Sequence, residues 1–407
     1  MMRNAVLAII IVAVALLAAP NAASATAAGG LDGRIVAANN DFGFKLFGKL
    51  TSSAPTKNVF ISPSSIAFAL AMTLNGADGE TKDAMARALS LSEMTLDEVN
   101  AASAGLMNEL LNADEDVELS IANSLWARLG VQFLPGFIRA NRSHYDAEVT
   151  ALDFASPKAA PYINTWVSNK TQGKISGIVD DPIDPMAIMF LLNAIYFKAA
   201  WTEPFDPEAT READFHLLTG ETKRVQRMRL FHDFRYLETD SFQAVSLPYG
   251  SRRLSMYVFL PAETTGLAAF QSALTRENWE RWMAKFSYRE GLLALPRFKV
   301  EYGAELNSAL AALGMGVAFD GQSADFSLMA QTDLNIFISA VRHKTYIDLD
   351  EYGTEAAAVT SVEMSLTAAP MEDGPEPFEM IVDRPFVLAI RDNDTGALLF
   401  LGCIVEP

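Results

Sequence analysis

Side chains able to do covalent chemistry are sparse in this chain of 407 residues. It carries four histidines, His144, His216, His232 and His343, and a single cysteine, Cys403. A serine hydrolase built on a strand-to-helix elbow would show Gly-x-Ser-x-Gly, which exposes the nucleophile on a sharp turn. The nearest match, Gly321-Gln322-Ser323-Ala324-Asp325, ends on the wrong residue. No Ser-x-x-Lys lies in a credible setting, and no His-x-x-x-His or Cys/His spacing would hold a metal. No Gly-rich phosphate loop follows a strand. Cys403 sits in the apolar stretch Leu398 to Val405, with no histidine near it in sequence. That setting disfavours a thiolate and fits a buried core residue. Carboxylate pairs carry no weight among 50 acidic residues. These absences argue against an enzyme, and they leave no cofactor and no metal to expect.

Charge narrows the partners further. The formal net charge is -18, which argues against binding nucleic acid or a heparin-type polyanion, since phosphate and sulfate contacts need clustered Lys and Arg. The most basic run, Lys223-Arg224-Val225-Gln226-Arg227-Met228-Arg229, is short and interleaved and reads as a solvated strand face or turn. At the N-terminus Arg3 precedes the apolar run Ala5 to Ala19, then Pro20 and the small-residue site Ala23-Ser24-Ala25. This pattern reads as a signal peptide, residues 1–25, cleaved after Ala25. The run is short for a membrane span, so the expected product is exported, extracellular or periplasmic, with no membrane attachment in the mature form. A single cysteine allows no intrachain disulfide. A composition of 50% hydrophobic and 20% charged residues is globular. No Gly/Ser- or Pro-rich linker divides Leu31 to Ala340 and no internal repeat is present, so residues 26–407 read as one domain, expected to be a monomer.

The elements that must position any site read as α+β. Helical spacing marks Gly30 to Leu50, Ile66 to Leu74, Thr95 to Leu111, Pro135 to Tyr145 and Pro161 to Asn169, with Ser62 and Pro63 as a start signal. Strand patterns mark Asn58 to Ile61, Glu118 to Arg128, Ala147 to Phe154, Phe231 to Leu237, Phe242 to Pro248 and Leu254 to Leu260. Ala187 to Phe197 is a near-continuous apolar run, as in a strand buried on both faces. Leu267 to Met283 reads as one helix, Leu292 to Val300 as a strand, Tyr302 to Leu313 as a helix and Ile336 to His343 as a strand. Phe386 to Asp392 and Ala397 to Val405 form a hairpin around Asn393-Asp394-Thr395-Gly396. Helices crowd the first half and strands the second.

One stretch is ambiguous on pattern alone. From Thr354 to Met364, one parity carries Thr354, Ala356, Ala358, Thr360, Val362 and Met364, none of them charged. The other carries Glu355, Ala357, Val359, Ser361 and Glu363. That is a half-buried strand by pattern, yet it runs on into a loop rich in small residues, Pro and acids, Ser365 to Pro377. It reads as a strand followed by a loop, or as a segment that is each in turn.

Several motifs lie in order along nearly all of the mature length: Asn58 to Ile66, Ile163-Asn164-Thr165-Trp166-Val167 with Thr171 to Ile175, Leu192 to Trp201 with Pro204-Phe205 and Asp214-Phe215, Leu295 to Phe298, Glu351 to Ala358, and Asp383 to Phe386. Together they resemble those of the serpins, with Glu351 to Ala358 like the family's hinge. The resemblance implies helices packed on a large central mixed sheet plus smaller sheets, with an exposed reactive-centre loop at about residues 351–380. It implies a suicide inhibitor: a protease attacks the loop, forms an acyl-enzyme, and is trapped when the cut loop inserts as a new strand. The alternative within the family is a non-inhibitory carrier or chaperone.

Site residues carry over by their motifs. The hinge is Glu351, Gly353, Thr354, Glu355, Ala356, Ala357 and Ala358. A shutter cluster beneath the opening of the sheet matches Ser62, Ser65, Asn193 and His343. The breach, where insertion begins, matches Trp201 and Glu351. The family's spacing, counted from Glu351, places the reactive bond between Thr367 and Ala368, with Leu366 and Met371 as alternatives. Tyr352 stands where the family commonly has a charged residue. No basic residue lies between Glu351 and Asp383, which points away from trypsin-like targets. Elastase-, subtilisin- or chymotrypsin-like serine proteases fit, and some papain-like cysteine proteases would also be tolerated. Small hinge residues and an uncharged inward parity favour the inhibitory version, with Thr354 through Met364 of that parity buried only after cleavage.

Overall fold

The computed structural model describes residues 30–355 and 376–407. Local signals set its helices. The Asp32 carboxylate accepts from the Arg34 amide at the start of Gly33–Ser53. Thr95 and Glu98 form a reciprocal capping box at the start of Leu96–Leu111. Helix Pro63–Leu74 starts at a proline and is buried along its whole length, so it must run through the core.

A six-stranded mixed sheet organises the site. Its order is Phe298–Glu305, Ala340–Asp350, Gly353–Thr354, Met189–Ala200, Val117–Arg128 and Glu148–Leu152. Met189 to Phe197 are all buried, because both faces of the sheet are covered. Helix Pro63–Leu74 and the main core lie on one face. On the other, helix Ala159–Lys170 packs Ile163 and Val167 against Trp126, Leu192 and Tyr346. A nine-stranded sheet joins Val59–Ile61, the C-terminal hairpin and the strands from Arg211 to Pro296, with Phe378–Ile381 at its edge. The basic run falls on strand Thr222–Glu238, where Val225 and Met228 point inward while Arg224 and Arg229 are exposed.

Several element boundaries differ from the sequence pattern. Leu267 to Met283 is two helices, Gly266–Ala273 and Arg276–Met283, because the Thr275 hydroxyl caps the Asn278 amide and starts the chain afresh. Leu292 to Val300 is divided between strands Ser287–Pro296 and Phe298–Glu305, which belong to different sheets. Pro296 lacks an N–H to continue a ladder, and the Arg297 amide turns to the Gln226 carbonyl. The second strand runs through Tyr302 to Glu305, and the helix begins only at Asn307. The strand expected at Ile336 starts at Ala340 and extends to Asp350. Within the range expected for the loop, about residues 351–380, Gly353–Thr354 is a sheet strand, and Phe378–Ile381 begins another.

Cys403 is buried in strand Leu398–Ile404, and its Sγ accepts a hydrogen bond from Gln271 Nε2 at 3.1 Å. Burial pushes its thiol up to about 12. The native protein should therefore resist alkylation by iodoacetamide at about pH 8, where a free thiol begins to ionise, and react fully once unfolded. Rapid labelling of the native chain would contradict this packing.

Candidate functional site

The two middle strands of the six-stranded sheet are joined over only part of their length. Ala340 to Thr345 pairs in parallel with Phe190 to Ile195. Above Thr345 and Ile195 this pairing stops. At the far end Gly353–Thr354 fills the space, with Leu349 opposite Thr354 and Asp350 opposite Gly353 on one side, and Ala200 and Ala199 on the other. No strand fills the interval between Tyr346–Asp348 and Tyr196–Lys198 among the described residues.

Ser62, Ser65, Asn193 and His343 come together where the joined part lies, all of them buried. Asn193 and His343 stand directly opposite each other in the ladder. The Ser62 amide donates to His343 Nε2 at 3.1 Å. That nitrogen is therefore the acceptor, and Nδ1 carries the proton it gives to Asn193 Oδ1 at 2.6 Å. Asn193 Nδ2 reaches Ser65 Oγ at 2.5 Å, the Ser65 carbonyl at 3.1 Å and Asn123 Oδ1 at 2.6 Å. Asn123 was not singled out from the sequence; it faces Asn193 in the ladder, and only pairing reveals it. Ser62 acts through its backbone N–H, while its buried hydroxyl has no partner among the described residues. Burial lowers the His343 pKa to about 3, so the ring is neutral.

The upper end is a second constellation. The Trp201 indole N–H donates to the Asp350 carbonyl at 3.0 Å, and its amide donates to the Tyr352 carbonyl at 2.9 Å. Its ring stacks on Tyr249 with centroids 4.4 Å apart. Tyr249 is hydrogen-bonded through its hydroxyl to Thr354 Oγ1 at 2.7 Å. The buried Glu351 carboxylate accepts from the Thr210 hydroxyl at 2.6 Å and lies 3.4 Å from Arg297 Nε. Tyr249 and Thr210 are distant in sequence and carried no local signal, and Arg297, though inside the motif Leu295 to Phe298, gave no sign of its partner. Gly353 has φ +151, and a Cβ there would collide with the Ala199 carbonyl and lie 2.8 Å from Ala200 Cα. Only glycine passes between the strands at that point.

Thr354 is a correction. It was expected to be buried only after cleavage, yet in the intact chain it is 1% exposed and paired on both sides. Two causes act together: Gly353 lets the backbone slip between the strands, and Tyr249 gives the buried hydroxyl a partner, which removes most of the penalty for burying it. The next residue turns out of the ladder. Glu355 has φ +56, and its amide donates to the Asp348 carbonyl at 2.7 Å. Ala356, Ala357 and Ala358, the remaining members of the inward parity, the reactive-bond candidates Leu366, Thr367, Ala368 and Met371, and the proposed signal peptide lie outside the described residues. Among the described residues, no cluster of His, Cys, Asp and Glu is placed to hold a metal ion.

Residues 37–407 match the family model for serpins, described as serine protease inhibitors. The chain is a serpin. It is 36% identical to the leukocyte elastase inhibitor of Sus scrofa, over 92% of this chain and all of that protein. It is 37% identical to human serpin B8, over 91% of this chain and 98% of that one. Among solved structures, the thermophilic serpin tengpin in its native state superposes with a TM-score of 0.85 at 32% identity, covering 93% of this chain and 95% of that one. The fold is the serpin fold, and the family is described as one of serine protease inhibitors rather than of catalysts.

The neutral His343 sets a pH dependence. Its folded pKa lies below the ordinary histidine value of 6.5, so its share of stability is complete above pH 6.5. That share is lost as pH falls toward about 3, because the unfolded chain takes up a proton that the native state refuses. Urea unfolding from pH 7 to 4 should show a steeper loss for the wild type than for His343→Asn. Parallel profiles would contradict a buried neutral ring.

Proposed function

We propose that this serpin is an exported suicide-substrate inhibitor of serine proteases, made of a signal peptide, residues 1–25, and one inhibitory domain, residues 26–407. The observation that carries the reading is the middle of the six-stranded sheet. Its two central strands are parted above Thr345 and Ile195, the hinge Gly353–Thr354 already occupies the top of the gap, and a hydrogen-bonded cluster closes the bottom.

The steps are those that the family resemblance implies, fitted to that geometry. A protease serine attacks the carbonyl of Thr367, the Ala368 amine leaves, and an acyl-enzyme joins the loop to the protease. The freed hinge side extends the strand already begun at Gly353 and Thr354. A complete new strand must then enter between Ala340–Asp350 and Met189–Ala200. Neighbouring strands lie about 4.8 Å apart, so the flanking strands must separate to roughly twice that distance. The 2.6 Å contact between His343 and Asn193 cannot survive that separation, and its atoms must find partners on the incoming strand. In return the new strand gains ladder hydrogen bonds on both edges and buries the Ala356, Ala358, Thr360, Val362 and Met364 parity. The acyl-enzyme, drawn along with the loop, is held before water completes hydrolysis.

The target class follows from the loop's chemistry. Leu366, Thr367, Ala368 and Ala369 suit elastase-, subtilisin- or chymotrypsin-like proteases, and the absence of Lys and Arg from Glu351 to Asp383 disfavours trypsin-like ones. The name of the leukocyte elastase inhibitor points the same way. The protein acts as a monomer with no polyanion cofactor.

Mixing the protein with an elastase- or subtilisin-like protease should give an SDS-stable covalent complex retaining the loop's hinge side. Uniform turnover of the loop, with no complex for any protease tried, would instead fit a non-inhibitory carrier. A carboxylate at Ala358 tests the insertion step. Burying a charge costs several kcal/mol, and about 1.4 kcal/mol on a barrier already slows a step tenfold. Ala358→Glu should therefore leave the intact fold's thermal midpoint within a few degrees while raising the protein consumed per protease inhibited about tenfold or more. Unchanged inhibition by that variant would sink insertion as the trapping step.

A further inference from the structure

Glu355 sits at the point where the seated hinge leaves the sheet, and its side chain has one ionic partner among the described residues. Its carboxylate pairs with the Lys174 ammonium, with 12% of the Glu355 side chain and 40% of the Lys174 side chain exposed. The second carboxylate oxygen, Oε2, is buried with no hydrogen-bond partner among the described residues. Lys174 ends the turn that follows helix Ala159–Lys170, where its own amide donates to the Thr171 carbonyl at 2.9 Å. Its ammonium also lies 5.5 Å from the ring centroid of Tyr346. Tyr346 belongs to the unfilled interval of the strand Ala340–Asp350, and its hydroxyl donates to Asp348 at 3.1 Å. The Glu355 amide meets the same strand, at the Asp348 carbonyl. Backbone and side chain of Glu355 are thus both tied down around the mouth of the gap. The pairing raises the Lys174 pKa, so the lysine stays charged.

The face on which this happens decides what the contact can do. Thr354 points into the main core, toward Tyr249. Glu355, its neighbour, points to the opposite face, where helix Ala159–Lys170 and its following turn lie. That alternation is already the alternation of a continuing strand. For the chain to advance, Glu355 must exchange its φ of +56 for an extended value, but its side chain need not cross the sheet. The ion pair therefore favours the seated hinge over a withdrawn one and does not oppose further insertion.

We propose that Lys174 is a positioning residue for the inhibitory reaction, holding Glu355 so that Gly353–Thr354 stays seated and insertion starts from a strand end that is already formed. This rests on the inhibitory reading above, because a seated hinge matters only in a race between insertion and hydrolysis. Starting a strand pair orders several residues before ladder bonds reward it, and a hinge seated beforehand has passed that stage before a protease cuts.

The test has two arms. In the intact protein, hydrogen exchange is followed at the amides of Thr354 and Glu355 in the wild type, Lys174→Met, Glu355→Gln and the charge swap Lys174→Glu with Glu355→Lys. Methionine keeps an apolar stem over Tyr346 while removing the charge. For a partly exposed ion pair the expected change is modest, about 2- to 5-fold faster exchange in each single variant, restored toward wild type by the swap. In the second arm, the protein consumed per protease inhibited should rise in the single variants and fall back in the swap. Exchange that is unchanged or slower in the single variants overturns the proposal, as does a fall in the protein consumed, which would make the pair a brake. A swap that folds with a wild-type thermal midpoint yet keeps the faster exchange also overturns it. If the wild type itself forms no covalent complex, the inhibitory reading fails, and the exchange arm still decides whether Lys174 seats the hinge.

Discussion

The hydrogen bond between His343 and Asn193 closes the middle of the central sheet, and the behaviour of the rest depends on its being both good and breakable. It is good because the polar side-chain atoms of His343 and Asn193 all find partners in a dry interior. His343 accepts from Ser62 and donates to Asn193, which in turn reaches Ser65 and Asn123. It is breakable because its partners are polar. Side chains that interlock by shape alone would offer an incoming strand nothing to bond, whereas amide, imidazole and hydroxyl groups can exchange one partner for another. Stranding any one of them would cost about 1–3 kcal/mol, so the sheet opens at a profit only when a new strand supplies replacements. The cluster thus makes the intact form persist without making it final.

The upper end of the gap obeys the opposite logic. Glycine at 353 removes the steric barrier, Tyr249 receives the Thr354 hydroxyl, and Trp201 and Glu351 fasten the approach through Asp350, Thr210 and Arg297. One end of the gap is held shut by exchangeable bonds while the other is held started. A strand between them can therefore propagate in only one direction, from Thr354 toward His343.

Much of this could be read before any coordinates, and the reasons for what could not are physical. The buried strand Met189–Ala200 announced itself through the near-continuous apolar run Ala187 to Phe197, and the α+β arrangement followed from where helical and strand periods fell along the chain. His343, Asn193, Ser62 and Ser65 were reachable because they sit in recognisable motifs. Asn123, Tyr249 and Thr210 were not, and Arg297 and Lys174, though inside quoted motifs, carried no sign of their partners, because each acts across a distance in sequence that no periodicity reports. The split at Arg297 was invisible for a related reason: a strand that passes from one sheet to another keeps its alternation while changing neighbours. Thr354 shows the finer limit. Its parity correctly marked the inward face, but parity says nothing about when a face becomes buried. That depended on a tyrosine from another strand and on the missing Cβ of Gly353.

The central claim is that the intact sheet is an incomplete one, held short of a more stable arrangement until the loop is cut. Differential scanning calorimetry of the intact protein and of protein cleaved within Ser365 to Ala369 tests it most directly. Insertion adds a full strand of ladder bonds and fills the interval at Tyr346–Asp348, so the cleaved form should unfold at a far higher temperature than the intact one, by tens of degrees. A cleaved form that unfolds at or below the midpoint of the intact protein would contradict the account.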